Sequence, residues 1–356
     1  MKIPSLILLA LMPFFLFQHS AFAQKWELFG KGIDSEVNSF CEYQGVLFVG
    51  GRFSSAGEVP VSLIACWNGA KWDSVGRGME GDGVYTLCEY KGELYAGGDF
   101  YAAGGKKIYG LSRWNGKDWL PVGGNFNKRV NALAVFKGEL YAGGEFDSIG
   151  KKAFAHIARW NGSDWNSVDK GFTSPTGDNS VTSLLSDNGK LYVGGRFTKA
   201  GGMMVNHIAA WDGNKWLALG NGFDGTVFCL AAYQKGICAG GDFSSSGDKS
   251  MVSVAYWNGA VWDSLGSGLS GYVFGLQVVQ GTLYTAGSFR SSGSREVKCF
   301  AAWNNKMWTE LGGGLSGLRG EAMTLGTYKG SLAVGGIFSQ AGNLDANHIV
   351  LWKPKK

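Results

Sequence analysis

The chain repeats itself, and this repeat constrains its fold more than any other feature. The motif Gly-Gly-x-Phe places its Phe at 53, 100, 146, 197, 243 and 338, and Ala286-Gly287-Ser288-Phe289 is a weaker copy. Successive copies are 47, 46, 51, 46, 46 and 49 residues apart. Behind each comes a polar stretch, a short apolar run and a tryptophan pair, as in Trp67-Asn68-Gly69-Ala70-Lys71-Trp72. The equivalent pairs are Trp114/Trp119, Trp160/Trp165, Trp211/Trp216, Trp257/Trp262 and Trp303/Trp308. These pairs take 12 of the 14 tryptophans. Trp352 follows Ile349-Val350-Leu351 and matches the first member of a pair; Trp26 precedes Leu28-Phe29-Gly30 and matches the second. A seventh unit is therefore split between the two ends. An open array has no use for such a split. A ring does, because joining the ends removes an unpaired strand edge.

Each unit reads as four strands, in the first unit 37–43, 47–53, 63–67 and 72–76. Gln44-Gly45 and Asn68-Gly69 mark tight turns that need positive φ, and 54–62 is a longer loop. The two Trp flanking a turn should face each other across the strands. The double glycine lets a neighbouring strand or sheet come close. The expected fold is all-β: a seven-bladed β-propeller of four-stranded blades, the last closed by the N-terminal strand. The 58 glycines and 14% aromatic content fit many turns between half-buried strands, and the aromatics exclude disorder. The 33 basic and 28 acidic residues are spread along the chain, so no nucleic-acid partner is expected.

Lys2, the apolar run 3–17 and Ala21-Phe22-Ala23 read as a secretory signal peptide, 1–23. The run of about 15 residues is too short to span a bilayer, which takes about 20. The rest, 24–356, is expected to be a single propeller domain, exported to the periplasm or outside the cell, with no membrane span. Export permits disulfides among Cys41, Cys66, Cys88, Cys229, Cys238 and Cys299; buried free thiols fit these strand positions equally well.

Leu191-Tyr192-Val193-Gly194-Gly195, followed by Trp211-Asp212-Gly213 and Trp216-Leu217-Ala218-Leu219, resembles the repeat of kelch and galactose-oxidase-type propellers. The chain is more similar still to secreted bacterial propellers built on Gly-Gly-x-Phe, Ile-Ala-x-Trp-Asn-Gly and Trp-x-x-Leu-Gly-x-Gly. The resemblance implies a propeller over the whole mature chain. It implies no activity, since propellers host many functions. The copper ligands of galactose oxidase match no positions here, and the Asp-box of sialidases is missing from the sequence.

Positions that depart from the repeat carry the candidate chemistry. His156, His207 and His348 each stand four residues before the first Trp of a unit. Equivalent positions on separate blades do not converge as a metal requires, so a cap on the long loop is expected, with no metal and no cofactor. The residues between Gly-Gly and Phe include Arg52, Asp99, Glu145, Arg196 and Asp242, which suggests ion pairs between neighbouring blades. Residues flanking the first apolar position of each innermost strand belong at the channel mouth, on the face of the long loops. The candidate binding residues there are Glu36, Tyr85, Arg129, Asn131, Tyr272 and Glu321, with Asn38, Phe228, Phe274 and Met323 beside them. The longest connection, 169–180, is placed to overhang this mouth. The expected function is non-catalytic binding of a glycan or protein partner through the long-loop face. One alternative is a carbohydrate-active hydrolase or lyase using Glu36 and Glu321 as paired carboxylates. The other is a structural cell-surface module.

Overall fold

The computed structural model describes residues 25–354. The leader expected at 1–23 lies outside them. Among the described residues the main strands form seven four-stranded antiparallel sheets. Sheet 1 takes Glu36–Tyr43, Val46–Arg52, Ile64–Trp67 and Trp72–Ser74 in chain order. Sheets 2 to 6 start at Met79–Tyr90, Val130–Phe136, Ser180–Asp187, Thr226–Tyr233 and Val273–Val279 and follow the same order. Sheet 7 starts at Glu321–Tyr328, and its outermost strand is Lys25–Leu28, paired with Ile349–Lys353 so that Trp26 faces Trp352. Each sheet packs on the next through its first strand, which makes the molecule a β-propeller. No helix among the described residues is long and apolar enough to cross a membrane.

The double glycine explains how the sheets pack. A Cβ on the first glycine would meet the first apolar residue of the next innermost strand: Gly50 meets Val84, Gly143 meets Val181 and Gly335 meets Val37, at 2.5, 2.3 and 2.4 Å. One junction departs from this pattern. Ala286 replaces the glycine in sheet 6, and the residue opposite it in the sequence pattern is Ala322 where the other units carry Val; both alanines are fully buried in one cluster. One side chain shrinks where the other grows, which conserves volume. The second glycine serves its own sheet. A Cβ on Gly51, Gly98 or Gly144 would fall 2.1–2.2 Å from the carbonyl oxygen of Glu36, Gly83 or Arg129.

The tryptophan pairs lie directly opposite in register, as at Trp67 and Trp72, with ring centroids 5.2 Å apart. The second Trp also reaches the neighbouring sheet. Nε1 of Trp72, Trp119, Trp165, Trp262 and Trp308 donates to the carbonyls of Phe29, Val75, Val122, Leu219 and Leu265. Each such buried bond contributes about 1 kcal/mol net, and together they tie sheet to sheet.

The turns differ in part from the reading of the sequence. Gln44-Gly45 is a two-residue turn with both φ values positive, 51° and 75°. The connection at Asn68-Gly69 is longer: Asn68 Oδ1 accepts the N–H groups of Ala70 and Lys71, and four residues separate the tryptophans. The long loop is not plain coil either. Ser55–Ala56 pairs with Val59–Pro60 as a small ribbon, and the preceding connection docks on it through an Ile33–Ala56 bridge. Similar ribbons recur in sheets 3 to 7. Two-residue strands give almost no periodic signal, so the pattern could not reveal them.

The three histidines occupy a strained backbone position. Leu63, Gly110, His156, His207, Ser253, Cys299 and His348 are equivalent and all have φ between 61° and 75°. The N–H of Leu63 binds the Phe53 carbonyl and its own carbonyl accepts the Gly51 N–H, which closes the base of the loop. His207 and His348 add an Nδ1 contact to the carbonyls of Gly195 and Gly336, at 3.1 and 3.0 Å.

Candidate functional site

A bulge repeated in all seven sheets builds the mouth. It falls one residue after the start of each innermost strand's apolar run, between Val37 and Ser39 in sheet 1 and at the equivalent place in the others. The extra residue leaves the ladder and re-aims its side chain. The bulged residues are Asn38, Tyr85, Asn131, Thr182, Phe228, Phe274 and Met323. A constant backbone device thus presents one variable side chain per sheet.

Around sheets 1 to 3 these positions form a charged arc. Arg52 pairs with Asp82 and lies 4.0 Å from Glu36. The Tyr85 hydroxyl donates to Asp82 at 2.5 Å, and Arg52 Nη2 donates to that hydroxyl at 2.7 Å. Arg129 stands 5.2 Å over the Tyr85 ring and pairs with Glu145 at 3.5 Å. The Tyr85 hydroxyl, with Arg52, holds the Asp82 carboxyl below its ordinary value. Burial, then the Asp82 contact, pushes the Tyr85 phenol up to about 12. Asp82 was missed in the sequence because the extended start of the strand Met79–Tyr90 that carries it is not part of the repeat. Arg52 was expected to pair with Asp99 on the next blade; it pairs with Asp82, near the start of that blade's first strand. Glu145 likewise pairs with Arg129 of its own sheet.

Beside this arc a cleft of about 450 Å³ opens across sheets 3 to 5. Arg129, Asn131, Thr182 and Phe228 line it from the innermost strands, and Glu145, His156 and Arg196 from the sides. Gly177 to Ser180, from the longest connection, close its edge, as the length of that segment predicted. Two polar atoms here are buried and unpartnered: His156 Nδ1 and Asn179 Oδ1. Burial also holds the His156 imidazole below its ordinary pKa, so the ring is neutral near pH 7. No acid lies within ion-pairing distance of Arg196 among the described residues.

The six candidate residues are thus distributed around the mouth. Arg129 and Asn131 share the cleft, and Asn131 Nδ2 also donates to Ser180 Oγ and the Val181 carbonyl of the next sheet at 3.1 Å. Glu36 and Tyr85 belong to the charged arc. Tyr272 lines a second cleft of about 310 Å³ with Asp224 and Asp242. Glu321 starts sheet 7, opposite Ile337. Neither Glu36 nor Glu321 lines the larger cleft. Among the described residues no cluster of His, Cys, Asp or Glu is arranged to hold a metal. All six cysteines are free, and burial pushes the thiols of Cys41 and Cys66 up to about 11.

No family model matches the chain, and no curated protein matches it. Solved structures do. The extracellular domain of a B. thetaiotaomicron protein described as a hybrid two-component system, BT4673, superposes with a TM-score of 0.63 at 11% identity over 94% of this chain. The chain spans 40% of the length of that extracellular-domain chain. The WD40 β-propeller domain of Doa1 gives a TM-score of 0.56 at 12% identity, covering 94% of this chain and 98% of the other. The designed protein Ika8 gives 0.51 at 11% identity over 91% of this chain and 98% of its own. At these identities the likeness concerns the fold, and the fold is a β-propeller.

Proposed function

We propose that the protein is an exported, non-catalytic recognition module that binds a glycan in the cleft on its long-loop face. In this reading 1–23 is a cleaved leader and 24–356 is one closed, seven-bladed domain. The pairing of Lys25–Leu28 with Ile349–Lys353 supports closure by the N-terminal strand. The apolar leader supports export, and the BT4673 neighbour is itself an extracellular domain.

The observation that carries the reading is the chemistry of the larger cleft. Its size falls within the usual range for ligand sites, about 300–1,000 Å³. Its wall mixes donors and acceptors: Arg129 and Arg196 donate, the side-chain oxygens of Asn131 and Thr182 accept, since their donors are engaged within the protein, and Asn179 Oδ1 awaits a donor. Phe228 adds an aromatic surface. Hydroxyl groups that both give and accept protons satisfy such a wall, and an aromatic ring suits the apolar face of a sugar.

The test is a glycan array probed with the purified mature protein, with the same glycans assayed for turnover by mass spectrometry. Binding without cleavage, weakened by Asn131→Ala and Arg196→Ala, is the expected result. Cleavage would overturn the non-catalytic reading and bring Glu36 and Glu321 forward as acid and base. Silence on the array would overturn the glycan reading and leave a protein partner or a structural role.

A further inference from the structure

Three aromatic rings at the mouth have no role in the sheets' own packing pattern. Phe228 and Phe274 are the bulged residues of sheets 5 and 6, and Tyr272 precedes the bulge of sheet 6. Phe228 lies 5.6 Å from Phe274 and 6.2 Å from Tyr272, and Tyr272 lies 5.9 Å from Phe274. The two phenylalanines are half-buried and Tyr272 is 46% exposed. Equivalent bulge positions elsewhere carry Asn, Thr or Met, apart from Tyr85, whose hydroxyl is already engaged by Asp82 and Arg52.

The trio joins two clefts. Phe228 lines the cleft of about 450 Å³ and Tyr272 lines the cleft of about 310 Å³. A ligand that filled only the first would leave the ridge bare. The charges of the first cleft also matter. Arg129 is matched by Glu145 and Lys128 by Asp147. Arg196 and Asp178 remain, one of each sign, without ion-pair partners among the described residues. A net anion or cation would therefore be repelled by one as it was attracted by the other, whereas hydroxyl groups can donate to Asp178 and accept from Arg196.

We propose that the mouth binds an extended, neutral oligosaccharide that runs from the Asn131–Arg196 cleft across Phe228 and Phe274 to Tyr272. This deepens the glycan reading and rests on it. The ring faces carry partial negative charge and meet the C–H face of each sugar, while the hydroxyl edges turn to the cleft walls. Charge takes little part in the fit, so salt should not disturb it.

The test is calorimetric titration of the mature protein with β-glucan, mannan and xylan oligosaccharides of one to six sugars, beside an acidic polygalacturonate series. At least one neutral series should gain about tenfold or more in affinity between one sugar and four, with little change in 0.5 M salt. Phe228→Ala and Tyr272→Ala should each cost about tenfold for the long members and flatten the length dependence. Circular dichroism and Tm serve as controls that both variants fold. Equal affinity for one sugar and four, unaltered affinity in both variants, preference for the acidic series with loss in salt, or no binding by any neutral series would each overturn the proposal. The broader glycan reading falls only if the array and every series are silent.

Discussion

The two arcs of the mouth are built on the same backbone and differ in how complete they are. On sheets 1 to 3, Arg52, Asp82, Tyr85, Arg129 and Glu145 satisfy one another. On sheets 5 and 6, Phe228, Phe274 and Tyr272 touch one another and still show surface to solvent. Charges attract notice in a sequence, yet a charge with its partner in place offers little to a ligand. Exposed aromatic surface beside unpartnered polar atoms offers more. The comparison moves the weight of the site from Glu36 and Tyr85 toward Asn131, Phe228 and Tyr272.

The framework beneath the arcs should be equally intolerant on both sides. A Cβ at Gly97 would meet Val130 at 2.8 Å under the charged arc, and one at Gly240 would meet Val273 at 2.4 Å under the aromatic arc. Gly97→Ala and Gly240→Ala should each cost about 1–3 kcal/mol, the range for overpacked cores, read by denaturant unfolding. A loss on one side only would show that the sheets do not share one packing rule.

Binding should separate the arcs next. Tyr272→Ala should lower affinity for a bound glycan about tenfold, while Arg52→Ala should stay within about twofold. The reverse order in a titration would restore the charged arc as the site.

A smaller difference lies in the response to acid. Asp224 accepts bonds from Ser244 and Ser245, which outweigh its burial and hold its carboxyl at about 2. Asn127 does the same work on the other side, binding Asp147 and Ser148 without titrating itself. A carboxyl with a depressed folded pKa stabilises above the unfolded value near 4 and loses that contribution as pH falls toward 2. Asp224→Asn, which copies Asn127, should therefore flatten the loss of Tm between pH 5 and pH 2. An unchanged acid profile would count against the contact.

The smallest effect expected is that of Asp82→Asn. The ion pair with Arg52 is largely exposed, so stability should change by less than about 1 kcal/mol. The Tyr85 phenol should titrate below its present value of about 12, without reaching the ordinary one, because burial contributes most of its shift. Absorbance titration of the phenolate reads this directly.

Much of the architecture was legible because it repeats. The tryptophan spacing placed Trp67 opposite Trp72 and Trp26 opposite Trp352, and the double glycines marked the close approaches at Val84 and Val181. The mouth was legible in outline, since the residues flanking each first apolar position are the ones the bulge presents. The pairing of Arg52 with Asp82 was not, because the packing of sheet 2 on sheet 1 brings the acid to the arginine from 30 positions away. Nor were the two-residue ribbons at Val59 and its equivalents, which are too short to show a period. Local pattern and repeat therefore determined the strands, their order and the all-β class, since each depends on neighbours in the chain or on equivalent neighbours one unit away. Only the tertiary structure decided which mouth residues are satisfied and which are open, because satisfaction depends on distances between sheets that no local pattern encodes.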